Sequence, residues 1–311
     1  MVPYIPFPIN ITLSSPLFQL EPISQNGNFG WTPSCASPAC VSTATWSTST
    51  PNSTLIGTFW GHDIVLEGRV QGNVDIRVTV DGREVGWNPD NDVLLSVHGL
   101  NDLVQHRVSL TIFDASADGR LTVDQARVNG TTHTDTDNSP THRWTVSANN
   151  AAISYTGFSQ QMNMADLASP TTYFPLLAGD KASMTFNGSA LLIYGPCGPS
   201  NGLMRVTIDE GRTVVNTSKP IQANDCLLFQ SKGISGSYRL HDLVVENIDG
   251  EQLGIDRIEF IRTVYMSRRE NGMANTLAGT AIETFVKLVA VIILLTVVHV
   301  MDPNKLRKRR E

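Results

Sequence analysis

Apolar and polar residues alternate with period two along most of the first 265 residues. In Ile76-Arg-Val-Thr-Val80 the apolar Ile76, Val78 and Val80 alternate with Arg77 and Thr79. That is the pattern of a strand with one face on a core and the other in water. The stretch His106 to Phe113 (HRVSLTIF) alternates in the same way. Asp81-Gly82 and Asp249-Gly250 are tight-turn dipeptides between such stretches. No amphipathic helical pattern precedes residue 281. Short strands with frequent turns predict an all-β chain of antiparallel β-sandwiches.

The pattern repeats. Thr58 to Gly82 reads TFWGHDIVLEGRVQGNVDIRVTVDG, and Thr185 to Gly211 reads TFNGSALLIYGPCGPSNGLMRVTIDEG, a spacing of 185 − 58 = 127 positions. Val93 to Leu100 matches Leu227 to Ile234, and His106 to Val128 matches the stretch Tyr238 to Ile261 with a one-residue gap. Several matching blocks in one order indicate a duplicated domain, and so long a period indicates tandem domains rather than a solenoid. The expected organisation is a first sandwich over 1–130, a polar linker over 131–142 and a second sandwich over 143–265. A stalk over 266–280, a transmembrane helix over 281–301 and a basic tail over 302–311 complete it.

The C-terminal apolar run sets the expected localisation. Leu288 to Met301 (LVAVIILLTVVHVM) carries no formal charge with neutral His. Its length of about 21 Å is short of the ~30 Å hydrocarbon core, so the span is drawn from Ala281. Glu283 and Lys287 then share a face at the membrane interface, four residues apart. Asp302-Pro303 ends the run, and Lys305, Arg307, Lys308, Arg309 and Arg310 follow. Cations beside a span favour the cytoplasmic side. The expectation is a single-pass protein of the plasma membrane or a secretory-pathway membrane, in contact with membrane lipid, its C-terminus cytoplasmic. Met1 to Ser15 lacks the pattern of a signal peptide, having no basic start and three prolines in its apolar stretch.

Ile153 to Ser159 (ISYTGFS), the block from Ser183 to Gly211, GISGSYRLHDLVV and IDRIEF together resemble a known family. It comprises basidiomycete fungal single-pass membrane proteins with galactose-binding-like jelly-roll ectodomains. The second copy carries the resemblance over most of its length, the first only in its central and final blocks. The resemblance implies two-sheet jelly rolls, a fold that often serves carbohydrate-binding modules, and leaves the ligand open.

Composition alters this picture little. Charged residues are 17% of the chain, below the usual ~25%, and the net charge of −6 argues against nucleic acid as a partner. Cys35 and Cys40 lie in one loop, and Cys197 and Cys226 lie in the second half. An even count with local pairs suits disulfides in an oxidising compartment, although three connectivities are open. N-glycosylation sequons begin at Asn10, Asn52, Asn129, Asn187 and Asn216. A chain this rich in Asn, Ser and Thr carries several by chance.

Catalytic motifs are missing from the sequence. Gly233-Ile-Ser-Gly-Ser237 lacks the nucleophile-elbow spacing, and Asp81, Asp209, Asp249 and Glu251 sit beside turn glycines, where acids commonly cap the turn. No catalytic residue and no metal site are assigned. His133, Asp135, Asp137 and His142 cluster in the linker without the Gly and closing Glu of a calcium loop. Asn88 to Asp92 is an oxygen-rich turn, and calcium there has only weak support. No cofactor is expected.

Glycan binding needs an aromatic platform with polar groups beside it. Trp60 has Asn187 at its matched position in the second copy, so the fold does not require it. Trp87 lies in a polar loop, and Tyr194 ends a strand. These three are the candidate ligand-binding residues. Trp46 and the Tyr173-Phe174 pair are weaker alternatives. The function expected is therefore non-catalytic binding of a glycan. Adhesion through copies of the chain or another surface protein is the alternative, and a wall-modifying glycoside hydrolase the third.

Overall fold

The computed structural model describes residues 9–24, 29–101, 103–129, 141–162, 171–234 and 239–263. In the first half the strands are β1 (Ile9–Ile11), β2 (Phe18–Glu21), β3 (Thr32–Pro33), β4 (Trp46–Thr48), β5 (Thr54–Trp60) and β6 (Asp63–Gln71). They continue with β7 (Val74–Val80), β8 (Arg83–Val85), β9 (Val93–Val97), β10 (Gln105–Ala115) and β11 (Arg120–Asn129). The second half opens with β12 (Thr141–Ser147), β13 (Ser154–Thr156), β14 (Phe158–Met162), β15 (Thr171–Pro175), β16 (Lys181–Phe186) and β17 (Ala190–Cys197). It closes with β18 (Leu203–Ile208), β19 (Gly211–Asn216), β20 (Ala223–Gln230), β21 (His241–Asn247) and β22 (Arg257–Thr263). One short helix, α1 (Pro38–Val41), sits among them. The chain is all-β and its strand pairs are antiparallel.

Each half has two main sheets, and their orders correspond. In the first half β1-β11-β6-β9 lies in one sheet, extended by β4 and β3 beside β11, and β2-β5-β10-β7-β8 forms the other. In the second, β12-β22-β17-β20 corresponds to the former and β13-β16-β21-β18-β19 to the latter. The correspondence reaches single bonds. The His62 N–H donates to Asn129 O and the Leu100 N–H to His62 O, as Ser189 donates to Ile261 O and Ile234 to Ser189 O. The two-stranded β14–β15 sheet of the second half has no counterpart among the described residues of the first.

Period-two alternation becomes burial. Ile76, Val78 and Val80 are buried, as are Val108, Leu110 and Ile112 on the adjacent strand of the same sheet. In the second half Phe186 of β16 meets Phe260 of β22 with centroids 4.8 Å apart, joining its two sheets through the core. Where β11 slips register between Val123 and Gln125, Gly68 takes φ 153° opposite. A Cβ there would lie 2.2 Å from the Thr122 carbonyl oxygen, so only glycine fits this bulge.

Residues 1–263 group into one compact unit. The junction between the halves is polar and buried. The turn after β1 enters the second half, where Ser15 Oγ donates to Leu227 O at 2.5 Å. The carbonyl oxygen of Ser14 lies 3.2 Å from Cys197 Sγ and 3.6 Å from Cys226 Sγ. Lys219, only 6% exposed, returns from the second half and donates to Phe18 O at 2.5 Å and Leu13 O at 3.4 Å. Burial pushes its ammonium down to about 8. Ser42 Oγ accepts from the Asp225 N–H at 2.9 Å.

Several expectations change. The span over 281–301 with Glu283 and Lys287, the 266–280 stalk and the 302–311 tail lie outside the described residues, as do His133, Asp135 and Asp137. Among the described residues no helix is long and apolar enough to cross a membrane. The four residues of α1 rise only about 6 Å against a hydrocarbon core of ~30 Å. The expected membrane localisation, with its lipid contact and cytoplasmic C-terminus, is corrected on that finding. His142 is not a linker residue: it lies in β12 opposite Arg262.

Candidate functional site

Trp60 is the last residue of β5. Leu55, Gly57 and Phe59 point into the core from alternate positions, so Trp60 belongs to the outward face with Ile56 and Thr58. Its backbone is held across the junction by Gln230, the last residue of β20. The Trp60 N–H donates to Gln230 Oε1 at 3.1 Å, and Gln230 Nε2 donates to Trp60 O at 2.7 Å. A buried amide that satisfies both backbone groups of one residue fixes where that side chain starts.

Trp60 lines an open cavity of about 560 Å³. This is within the usual size of small-ligand pockets, ~300–1,000 Å³. Leu103 joins Trp60 from the first half, and the second half supplies the rest: apolar Val206 and Phe229, the Thr213 hydroxyl, and the charged Glu210, Arg212 and Lys232. Asp209 and Arg239, both exposed, and the buried His241 line the cavity as well.

Asp209 is already occupied. Its Oδ2 accepts from His241 Nδ1 at 2.8 Å and from Arg239 at 3.1 Å, and its Oδ1 accepts the Asp242 N–H at 3.0 Å. The His241 hydrogen bond, with help from Asp242 and Arg239, holds this carboxyl below its ordinary range. An acid so placed stays ionised and is unsuited to protonating a leaving group.

The same arrangement exists in the first half. His106 Nδ1 lies 2.7 Å from Asp81 Oδ2, and Asp81 Oδ1 accepts the Arg107 N–H at 2.9 Å. Both aspartates have φ 52°, and both histidine rings tilt against a phenylalanine, Phe59 or Phe186, at 5.6 Å. Burial pushes the Asp81 carboxyl up, but the Arg107 N–H and His106 outweigh it and the net displacement is downward. His106 Nε2 faces Asn101 O at 2.8 Å, so both ring nitrogens meet acceptors. A Ser–His–Asp relay needs one free imidazole nitrogen, which His106 lacks.

The other expected platforms fare differently. Arg257 lies over the Tyr194 ring at 3.9 Å, and burial, with Glu259 beside it, pushes the phenol up to about 12. Tyr194 is thus a covered ring rather than an open face. Trp87 is half-buried and packs on the core. Trp46 is buried at 1% exposure and is a core residue. Tyr173 stacks on Tyr155 at 4.2 Å with an interplanar angle of 8°. Of the three aromatics singled out from sequence, only Trp60 lines this cavity.

Both disulfides are local, Cys35–Cys40 on the α1 loop and Cys197–Cys226 between β17 and β20. Among the sequon asparagines, Asn10, Asn52 and Asn216 are exposed and Asn129 and Asn187 half-buried. Among the described residues no cluster of three or more metal-ligating side chains occurs, the Asn88 to Asp92 turn included.

No protein-family model matches the chain, and no curated protein matches it. Solved structures do. The chain is similar over 84% of its length to 98% of the tandem CBM22-1-CBM22-2 domain pair from Paenibacillus barcinonensis Xyn10C, at 10% identity and a TM-score of 0.25. A family two carbohydrate esterase from Cellvibrio japonicus matches at 15% identity and TM-score 0.29, over 40% of this chain and 35% of the esterase. A Paenibacillus xanthan lyase matches at 11% identity and TM-score 0.30, over 83% of this chain and 27% of the lyase. The chain therefore spans about a third of the esterase's length and about a quarter of the lyase's. These neighbours are carbohydrate-active enzymes and carbohydrate-binding modules.

Proposed function

We propose that this protein is a non-catalytic binding protein whose two halves are galactose-binding-like jelly rolls, and that a glycan occupies the cavity at their junction. One observation carries the reading: Trp60 lines that cavity with its backbone clamped by Gln230. A rigid indole offers a flat apolar face for a sugar ring at low entropic cost. Thr213, Glu210, Arg212 and Lys232 supply hydrogen-bonding groups for hydroxyls around it.

The hydrolase reading has less support. Two facing carboxylates are needed, and Asp209 is bound to His241, Arg239 and the backbone, leaving Glu210 as the cavity's other acid. Adhesion is the second reading, favoured by apolar side chains near the rim. Leu103 is 57% exposed and Leu240 69% exposed.

A glycan array probed with the full chain tests the proposal. Saturable binding to defined oligosaccharides, competed by the free sugar, is the expected result. A folded chain that captures no glycan, yet self-associates in light scattering, supports adhesion and overturns it.

A further inference from the structure

Resting on the reading of the junction cavity as a glycan site, we infer that the glycan is an acidic one, its carboxylate or sulfate group held by Arg212 and Lys232 in the cavity that Trp60 also lines.

Arg212 and Lys232 reach the cavity from separate segments. Arg212 is in β19, where it pairs with Thr207, and Lys232 lies two residues beyond the end of β20. Both are exposed, and among the described residues neither makes an ion pair. The third cation of the wall, Arg239, is held by Asp209 at 3.1 Å. Asp209, Arg239 and His241 thus compensate one another.

What remains for a ligand is two cations against one carboxylate, Glu210. This excess stands in a chain whose net charge is −6. A positive site on an acidic protein steers anions to one place on its surface. The guanidinium fork suits the paired oxygens of a carboxylate or sulfate, and lysine adds a movable point charge. The concave wall limits screening by water relative to a flat surface. A neutral sugar would use neither charge fully. An acidic residue uses both, with its ring against Trp60.

The test is calorimetric titration of the full chain with three oligosaccharides of equal length: a galacturonate oligomer, its methyl ester and a sulfated galactan. Titrations are run at low and at physiological ionic strength. At least one of the two anionic sugars is expected to bind about tenfold tighter than the ester, with affinity falling as salt rises. Which of them binds distinguishes carboxylate from sulfate. R212Q/K232Q should cost the anionic sugar about tenfold, bringing it near the ester's affinity, while the ester, which loses only hydrogen bonds to hydroxyls, weakens far less. Neither anion binding tighter than the ester, an anionic affinity untouched by R212Q/K232Q, or no binding of either anion overturns the inference. The first two results leave the glycan reading intact, because that reading stands or falls on Trp60→Ala, which should weaken acid and ester alike.

Discussion

The side-chain amide of Gln230 closes a two-way hydrogen bond on the backbone of Trp60, accepting its N–H at 3.1 Å and donating to its carbonyl at 2.7 Å across 170 residues of sequence. This bond ties the proposed site to the junction of the two halves. Gln230 is 3% exposed, so water does not readily replace it. Gln230→Ala is expected to cost about 1–3 kcal/mol of stability by leaving backbone groups unpaired. Thermal unfolding measures it, and ligand affinity should fall as well. A variant with unchanged melting temperature and unchanged binding would show that the clamp is incidental.

Lys219 gives the junction a pH dependence. Its folded-state pKa of about 8 lies below the ordinary lysine value of 10.5. The native state therefore releases this proton first, and between these two values the unfolded state binds more protons. Stability should rise with pH across that window from this group, by about 3 kcal/mol at most. Tyr194, pushed up to about 12 by burial, acts oppositely, because the unfolded phenol ionises first above pH ~10. Urea unfolding between pH 7.5 and 9.5 should show the rise, and Lys219→Met should flatten it. A slope unchanged in that variant would assign it to another group.

The paired Asp–His arrangements predict matched responses. Asp81→Ala and Asp209→Ala each leave a buried histidine and a backbone N–H without their acceptor. Each should cost about 1–3 kcal/mol, and the two costs should add. Because both carboxyls titrate below the ordinary range, their contribution is present above pH ~4 and is lost as pH falls through the folded-state values. Acid unfolding of the single variants should accordingly be less steep than that of the parent chain. Unequal costs would show that one copy has dispensed with its latch.

The disulfides should differ in weight. Cys197–Cys226 closes 29 residues and packs against Ser14, whereas Cys35–Cys40 closes 5. Loop-closure entropy gives about 4 kcal/mol for the former and about 2 kcal/mol for the latter. Denaturant midpoints of Cys197→Ser/Cys226→Ser and Cys35→Ser/Cys40→Ser should rank in that order. The reverse order would mean that the surface loop, rather than the junction, limits stability.

Period-two alternation made the strands legible, because Ile76, Val78 and Val80 needed no partner to reveal which face was apolar. Sheet order was not legible: the repeat showed only that the two halves share matching blocks, and one block was misplaced. His106 is matched by apolar pattern to Tyr238, but the bonds of Asp81 and Asp209 pair it with His241. A histidine at the start of a strand that follows an Asp turn was the available signal. Trp60 could be found because the second copy lacks it. Gln230 and Lys219 could not, since a single polar residue that satisfies backbone 170 to 206 residues away leaves no periodic trace. Tyr194 looked open in sequence because nothing there shows Arg257 lying over its ring.

The most direct measurement is the affinity of Trp60→Ala for whichever oligosaccharide the parent chain binds, taken alongside its melting temperature. Loss of a stacking platform should weaken binding about tenfold or more while the fold is kept, since the Gln230 clamp engages backbone atoms only. Binding equal to that of the parent, in a variant that remains folded, would contradict the assignment of this cavity as the site.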